Sequence, residues 1–293
     1  MSAHRGLVLG VYNQFADVLV EGEQREATIA GRLRHARPVV GDDVELRELD
    51  DGSVRIESVG ERRGTLIRGA FRGREQLVAA NVDLLVIVAA ASDPPLRAGL
   101  IDRYLVAAWR GGIEAALALT KLDLPADERE VGRIESLLES LGHRVLRVNP
   151  RTGDGVERVR QLIGTRTAVL AGHSGVGKTT LSNALTLRDD ATSLVNPVVG
   201  KGRHTTTQAR YLPLAGGGAL IDTAGIRGYG ITGIPLPDLE KAFPEIAAAA
   251  ADCRFDGCLH EPEDEGCAVP ARTSPQRLES YRKLLGELRD PGR

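Results

Sequence analysis

Long apolar runs are missing from this sequence: none approaches the roughly 18 consecutive apolar residues that a membrane-spanning helix needs. The N-terminus, M-S-A-H-R-G-L-V-L-G, turns polar too quickly for a secretory signal. The expectation is a cytoplasmic chain with no membrane contact. A strong charge of either sign is also missing. At a net charge of −2 the global field would not steer the chain to nucleic acid, so any RNA contact must come from local patches. Cysteine is scarce as well. Three residues, an odd count, argue against a disulfide framework. All three fall between Cys253 and Cys267, and that clustering points to a metal. No internal repeat is visible.

What remains is an ordinary globular balance, 42% hydrophobic and 27% charged, spread over 293 residues. That length suits two or three small domains better than one core. Residues 1–66 carry five short β-like runs, at 7–12, 16–20, 27–30, 43–46 and 54–56, broken by turn pairs at Glu21-Gly22, Gly41-Asp42 and Asp51-Gly52. Short strands without a good helix suggest a small β-barrel, with an OB-like one among the possibilities, and the pattern alone does not fix its topology. From Asn81 the pattern changes. Val82–Val88 is an almost unbroken apolar run, as in a strand buried on both faces. Helices expected over 96–109, 128–141, 156–163 and 178–187 alternate with strands at 115–119, 145–148 and 167–171, which makes a parallel α/β sheet. A hairpin over 211–214 and 219–221 closes this segment, taken as 75–230. The rest, 231–293, is irregular through the cysteines and ends in a helix over 275–288, so a mostly helical metal-binding domain is expected. Between the first two segments, Arg62, Arg63, Arg68, Arg72 and Arg74 form a basic stretch without an acid. It reads as a solvated linker or as an RNA contact.

Gly172-His173-Ser174-Gly175-Val176-Gly177-Lys178-Thr179 meets G-x-x-x-x-G-K-[ST] at every fixed position, after a strand and before a helix. Glycines let backbone N–H groups turn inward around phosphates, and the helix N-terminus adds partial positive charge. Lys178 is expected to reach the β- and γ-phosphates. Thr179, followed by Thr180, offers a hydroxyl to Mg²⁺. Asp222-Thr223-Ala224-Gly225 follows a second apolar strand, where Asp222 would hold Mg²⁺ through water and Gly225 would let a backbone N–H approach the γ-phosphate. Between the two motifs lies Gly200-Lys201-Gly202-Arg203-His204-Thr205-Thr206-Thr207, a loop suited to ordering around metal and γ-phosphate. One of the three threonines is expected on the metal, and the sequence does not choose among them. Thr205 is grouped with Lys178 and His204 as the catalytic set.

Thr120-Lys121-Leu122-Asp123, at the end of a strand, resembles the N-K-x-D motif that reads guanine, with Thr120 in the asparagine position. Asp123 would accept from the base's N1–H and 2-amino group, a donor pair that adenine lacks. Asn149-Pro150-Arg151-Thr152-Gly153 stands where a further backbone contact to the base is expected. Ordinary GTPases place the P-loop first and these base readers last. Here the order is rotated, which a parallel sheet tolerates if the loops stay at the same strand ends.

With G-H-S-G-V-G-K-T, G-R-H-T-T-T and D-T-A-G-I-R in this order, the chain resembles the RsgA family of circularly permuted GTPases over nearly its whole length. The resemblance implies an N-terminal OB-fold and a C-terminal zinc domain. It also implies a GTP form that binds the 30S ribosomal subunit and its 16S rRNA during late maturation, with the subunit stimulating hydrolysis of GTP to GDP. Cys253-x4-Cys258-x-His260-x6-Cys267 supplies three thiolates and one imidazole. That is a closed tetrahedral Zn²⁺ set, which is structural because no position is left for a substrate water. Its spacing matches the family's pattern.

Many GTPases carry a water-positioning glutamine after D-x-x-G. Here that position is Ile226, so slow unassisted turnover is expected, with His204 the internal candidate to orient water. The alternatives are an RNA-binding module in which nucleotide only stabilises the fold, and a small-molecule P-loop kinase. The first is opposed by the intact Lys178, Thr179 and Asp222, the second by Asp123. A monomer is expected.

Overall fold

The structure is a computed structural model that describes residues 3–69, 75–186, 209–223, 231 and 233–290. Five strands open the chain: β1 (Ala3–Tyr12), β2 (Phe15–Val20), β3 (Glu23–Ile29), β4 (Asp43–Glu48) and β5 (Val54–Val59). Turn chemistry sets the first hairpins. Asn13, Glu21 and Gly22 all take the positive φ that tight antiparallel connections require. Pairing runs β1-β2-β3-β5-β4 and returns from β4 to β1, so the strands close into an OB-like barrel. The β3–β5 pair is parallel and every other pair in the barrel is antiparallel. Alternate residues, among them Val18, Val44, Leu46 and Ile56, point inward and fill it.

A short hairpin, β6 (Leu66–Arg68) and β7 (Gln76–Ala79), then leads into the central sheet. The strands and helices there are β8 (Leu84–Ala90), α1 (Ala98–Gly111), β9 (Glu114–Thr120), α2 (Glu128–Ser140), β10 (Arg144–Arg147), α3 (Val156–Ile163), β11 (Thr167–Ala171), α4 (Lys178–Thr186), β12 (Arg210–Pro213) and β13 (Ala219–Asp222). The order across the sheet is β10-β9-β8-β11-β13-β12, parallel except for β12. Along β8, Leu84, Val86 and Val88 face one core while Leu85 and Ile87 face the other, which is why its sequence does not alternate. Helices α1 and α2 cover the second face, and α3 and α4 the first.

Two junctions fix the barrel to this sheet. Past a register shift between Val8 and Gly10, β1 pairs with the edge strand β12 at Gly10 and Arg210, so one sheet runs through both parts. Gly41, at φ +89°, lies so close to Ala80 that an added Cβ would come within 2.2 Å of its carbonyl oxygen. The Asn81 carboxamide donates to the Gly41 carbonyl at 2.8 Å and accepts from the Arg63 amide at 3.0 Å. Beside them the buried Asp42 carboxylate receives both Nε and Nη2 of Arg62 at 2.7 Å. The partly buried Arg62 is therefore committed to Asp42 and is not a free member of a solvated basic stretch.

The chain ends in a 3-10 turn (Leu236–Ala242), α5 (Pro244–Ala250), α6 (Val269–Arg272) and α7 (Pro275–Arg289). Their core includes Phe243, Ile246, Leu278, Tyr281 and Leu284 and takes in Val106 of α1. Arg277 of α7 is buried, bonds to both Asp102 of α1 and Glu245 of α5, and lies 4.5 Å over the Phe243 ring. Burial raises the Asp102 carboxyl above its ordinary range, and Arg277 opposes that rise.

Replacing Arg62 with methionine keeps the stem and removes the charge that compensates Asp42. Urea unfolding of Arg62→Met should show a loss of about 3 kcal/mol. An unchanged midpoint would mean that the pair does not hold the junction.

Candidate functional site

In an open parallel sheet, ligands bind outside the carboxyl ends of the strands, where the connections diverge to the two sides. That point lies between β8 and β11. From β8 the chain proceeds through β9 towards β10, and from β11 it proceeds towards β13. Five parallel strands end at this edge, and the loops after β9, β10, β11 and β13 carry the motifs.

After β11, Gly172, Gly175 and Gly177 have φ of +148°, +82° and +98°, which side-chain-bearing residues rarely adopt. A Cβ on Gly172 would also stand 2.2 Å from the Val88 carbonyl oxygen. The loop then feeds α4, whose first residue is Lys178. The Lys178 ammonium lies under the loop and donates to the carbonyls of Gly172 (2.8 Å) and His173 (2.6 Å), and burial lowers its pKa. A desolvated ammonium whose partners among the described residues are two carbonyls is poised to take a better anion. His173, Ser174, Thr179 and Thr180 are exposed around the loop, and Val176 is buried. One strand over, β13 pairs Ile221 with Val169, which sets the exposed Asp222 level with Leu170, two residues before Gly172.

After β9, Thr120 is buried, and its hydroxyl donates to the Val176 carbonyl at 2.6 Å. The T-K-L-D segment and the glycine-rich loop therefore touch directly. Lys121 sits at φ +55° and donates to the backbone carbonyl of Asp93 in the loop after β8. Asp123 is exposed two residues on. Val148 N–H bonds the Leu119 carbonyl at 2.8 Å and brings the loop after β10 alongside. In that loop the Asn149 side chain accepts from the Arg151 and Thr152 amides and stabilises its own turn. A cavity of about 50 Å³ lies beneath the P-loop, lined in part by Pro94, Leu96, Tyr104, His173 and Val176.

Lys178, Thr179, Thr180, Asp222, Thr120, Lys121 and Asp123 are thus gathered at one edge. His204, Thr205 and the rest of the 200–207 loop, with Gly225 and Ile226, lie outside the described residues. Two contributors were not read from the sequence: Asp93, whose signal is an Asp-Pro-Pro turn just past a buried strand, and Tyr104, whose hydroxyl receives the Gly172 amide.

Residues 59–232 match the family model described as RsgA GTPase. The chain belongs to the RsgA GTPase family. It is 40% identical to a small ribosomal subunit biogenesis GTPase RsgA of Pseudomonas fluorescens, over 97% of this chain and 86% of that one. With the protein of the same description from Azotobacter vinelandii it shares 38% identity, over 98% and 86%. Among solved structures it resembles YjeQ from Thermotoga maritima, with a TM-score of 0.77, 29% identity and 99% of each chain covered. It also resembles YloQ, a circularly permuted GTPase, with a TM-score of 0.74, 25% identity, and 99% of this chain and 96% of that one covered. As an RsgA GTPase the chain is a GTP hydrolase, and the rotated motif order is that of a circularly permuted fold.

The second candidate site of this RsgA GTPase is the cysteine cluster. The ligand atoms of Cys253, Cys258, His260 and Cys267 all lie within 4.8 Å of one another. Tetrahedral zinc, with Zn–S of about 2.3 Å and Zn–N of about 2.0–2.1 Å, places S···S about 3.8 Å and S···N about 3.6 Å apart. Cys253 and Cys267 sulfurs are 3.9 Å apart, and they lie 3.7 and 3.5 Å from His260 Nδ1. The donor set therefore fits zinc. The buried His260 takes φ +62°, and its Nε2 is 3.1 Å from Glu240 Oε2, which aims Nδ1 at the sulfurs. Burial, with the adjoining thiol and carboxylate, pushes the Cys258 thiol up to about 12.

Removing the carboxylate that orients His260 should weaken zinc binding by about 10–100-fold. Competition with a chromophoric chelator, comparing Glu240→Ala with the parent chain, reads this directly. Equal affinities would detach Glu240 from the site.

Proposed function

We propose that this GTPase acts in late maturation of the small ribosomal subunit, binds the 30S particle and its 16S rRNA in the GTP form, and leaves after subunit-stimulated hydrolysis. The observation that carries the nucleotide part is the contact between Thr120 and Val176, which joins a base-reading loop to a phosphate-binding loop. The ribosomal part is supported by relatives of about 40% identity that are described as small ribosomal subunit biogenesis GTPases.

In this reading Lys178 exchanges its two carbonyl partners for β- and γ-phosphate oxygens, which supply the negative charge its desolvated ammonium lacks. The N-terminus of α4 and the inward amides of the glycine-rich loop add to that field. The exposed Thr179 and Asp222 would hold Mg²⁺, which neutralises charge that builds up on the phosphates. Asp123 selects guanine. Ile226 cannot orient water, so the subunit completes the site, with His204 and Thr205 recruited from their loop.

The three parts divide the work. Residues 1–66 and the arginines that remain after Arg62 offer the RNA contacts. Residues 75–230 bind and hydrolyse GTP. Residues 231–293 are built around one structural zinc, held by Cys253, Cys258, His260 and Cys267. A cytoplasmic monomer fits this role, and no helix among the described residues is long and apolar enough to cross a membrane.

Steady-state GTP hydrolysis by the chain alone, with 30S subunits, and with 50S subunits tests the proposal. Turnover should be slow alone, on the order of 10⁻⁴ per second, and should rise at least tenfold with 30S only. Tight GTP binding without stimulation by either subunit would leave the GTPase intact and remove the ribosomal role.

A further inference from the structure

A loop helps to read a base only with the hydrogen-bonding atoms it has left to give. Asp123 would take the N1–H and 2-amino donors of guanine, so the polar atom that remains beside them is O6, an acceptor. A neighbouring loop must therefore bring an N–H to it. The loop after β10, Asn149-Pro150-Arg151-Thr152-Gly153, stands where that backbone contact is expected, and its amides can be followed one by one.

The Asn149 amide donates to the Asp154 carbonyl at 2.8 Å. Pro150 has no N–H, and a ring carbon stands where the donor would be. The Arg151 and Thr152 amides turn back to Asn149 Oδ1, at 3.1 and 3.4 Å. Gly153 donates to the Asn149 carbonyl at 2.9 Å, and Asp154 to the Thr152 hydroxyl at 3.4 Å. That hydroxyl donates in its turn to the Asn149 carbonyl, at 3.4 Å. From Asn149 to Asp154 the loop thus uses every backbone donor on itself. Little room is left to rearrange it: a Cβ on Gly155, at φ +73°, would stand 2.3 Å from the Arg147 carbonyl oxygen.

We propose that Pro150 is a specificity-determining residue: guanine is read on its N1–H and 2-amino edge by Asp123, and its O6 receives no donor from the loop after β10. This rests on the reading of the crevice as a guanine-nucleotide site. The site then rejects adenine, which lacks the donor pair, and admits nucleotides that keep N1–H and the 2-amino group but are changed at position 6. Two side-chain donors stay in the loop, the Asn149 carboxamide nitrogen and the Arg151 guanidinium. The first is held in place through Oδ1, and the exposed Arg151 would have to order a long side chain to reach the base.

The test compares binding of GDP and 6-thio-GDP, whose sulfur is a poor acceptor, to the full parent chain and to Pro150→Ala. The parent should bind the two within about threefold, less than a well-made hydrogen bond to O6 would separate them. Pro150→Ala supplies an N–H and should tighten GDP about fivefold while leaving 6-thio-GDP unchanged. A larger preference for GDP in the parent would show that position 6 is read after all, and would overturn the proposal. A Pro150→Ala chain that keeps the parent's ratio of affinities would overturn it too, because the proline would not be what withholds the contact. If Pro150→Ala does not fold, the parent's ratio decides. Absence of GDP binding by the parent would sink the nucleotide site, and this inference with it.

Discussion

Parallel pairing of β8 with β9 on one side and β11 on the other is the constraint on which the rest of the structure depends. All carboxyl ends then lie at one edge, so the loop after β9 and the glycine-rich loop after β11 become neighbours whichever is synthesised first. Rotating the order of motifs changes only which strand ends must be joined. Register completes the arrangement: Ala90 lies opposite Thr120, and Ala171 opposite Ile87. From there a single 2.6 Å hydrogen bond closes the gap between Thr120 and Val176.

The flanking parts are attached to this core through elements that border the nucleotide crevice. The barrel pairs with β12, the strand between the threonine loop and Asp222, and so covers an edge that would otherwise present unpaired backbone. On the other side, α1 has its Tyr104 on the P-loop while Asp102 and Arg103 bond to Arg277 and Glu287 of α7. Zinc coordination in the C-terminal part would serve the same end. Arg282 of α7 donates to the His260 carbonyl at 2.7 Å, so a filled cluster fixes the helix that fastens α1.

Legibility in the sequence followed the range of the interactions. The P-loop, the four metal-type ligands and α3 were readable because each is a local pattern with a fixed spacing. The doubly buried β8 was legible as an apolar run, although its observed start is Leu84 and not Val82, since Val82 instead bonds back to Gly64. The strand order that closes the expected barrel was not legible. It depends on β1 pairing with β4 and on the parallel β3–β5 pair, and short strands do not announce such distant partners. Hairpin β6–β7 escaped because three- and four-residue strands carry no periodicity. Arg62 looked like one of a basic run, and only its partner twenty residues upstream, Asp42, shows otherwise. Glu240 and Asp93 likewise acquire their roles through contacts that no spacing rule encodes.

The central claim is that these separated motifs form one guanine-nucleotide site at the sheet edge. Calorimetric titration of the chain with GDP and with ADP, under identical Mg²⁺ and salt, tests it most directly. One site per chain for GDP, with ADP weaker by at least about a hundredfold, is the expected result, because ADP would leave the Asp123 carboxylate without its donor pair. Equal affinities for the two nucleotides would contradict the account and reduce the site to a phosphate-binding loop without a base reader.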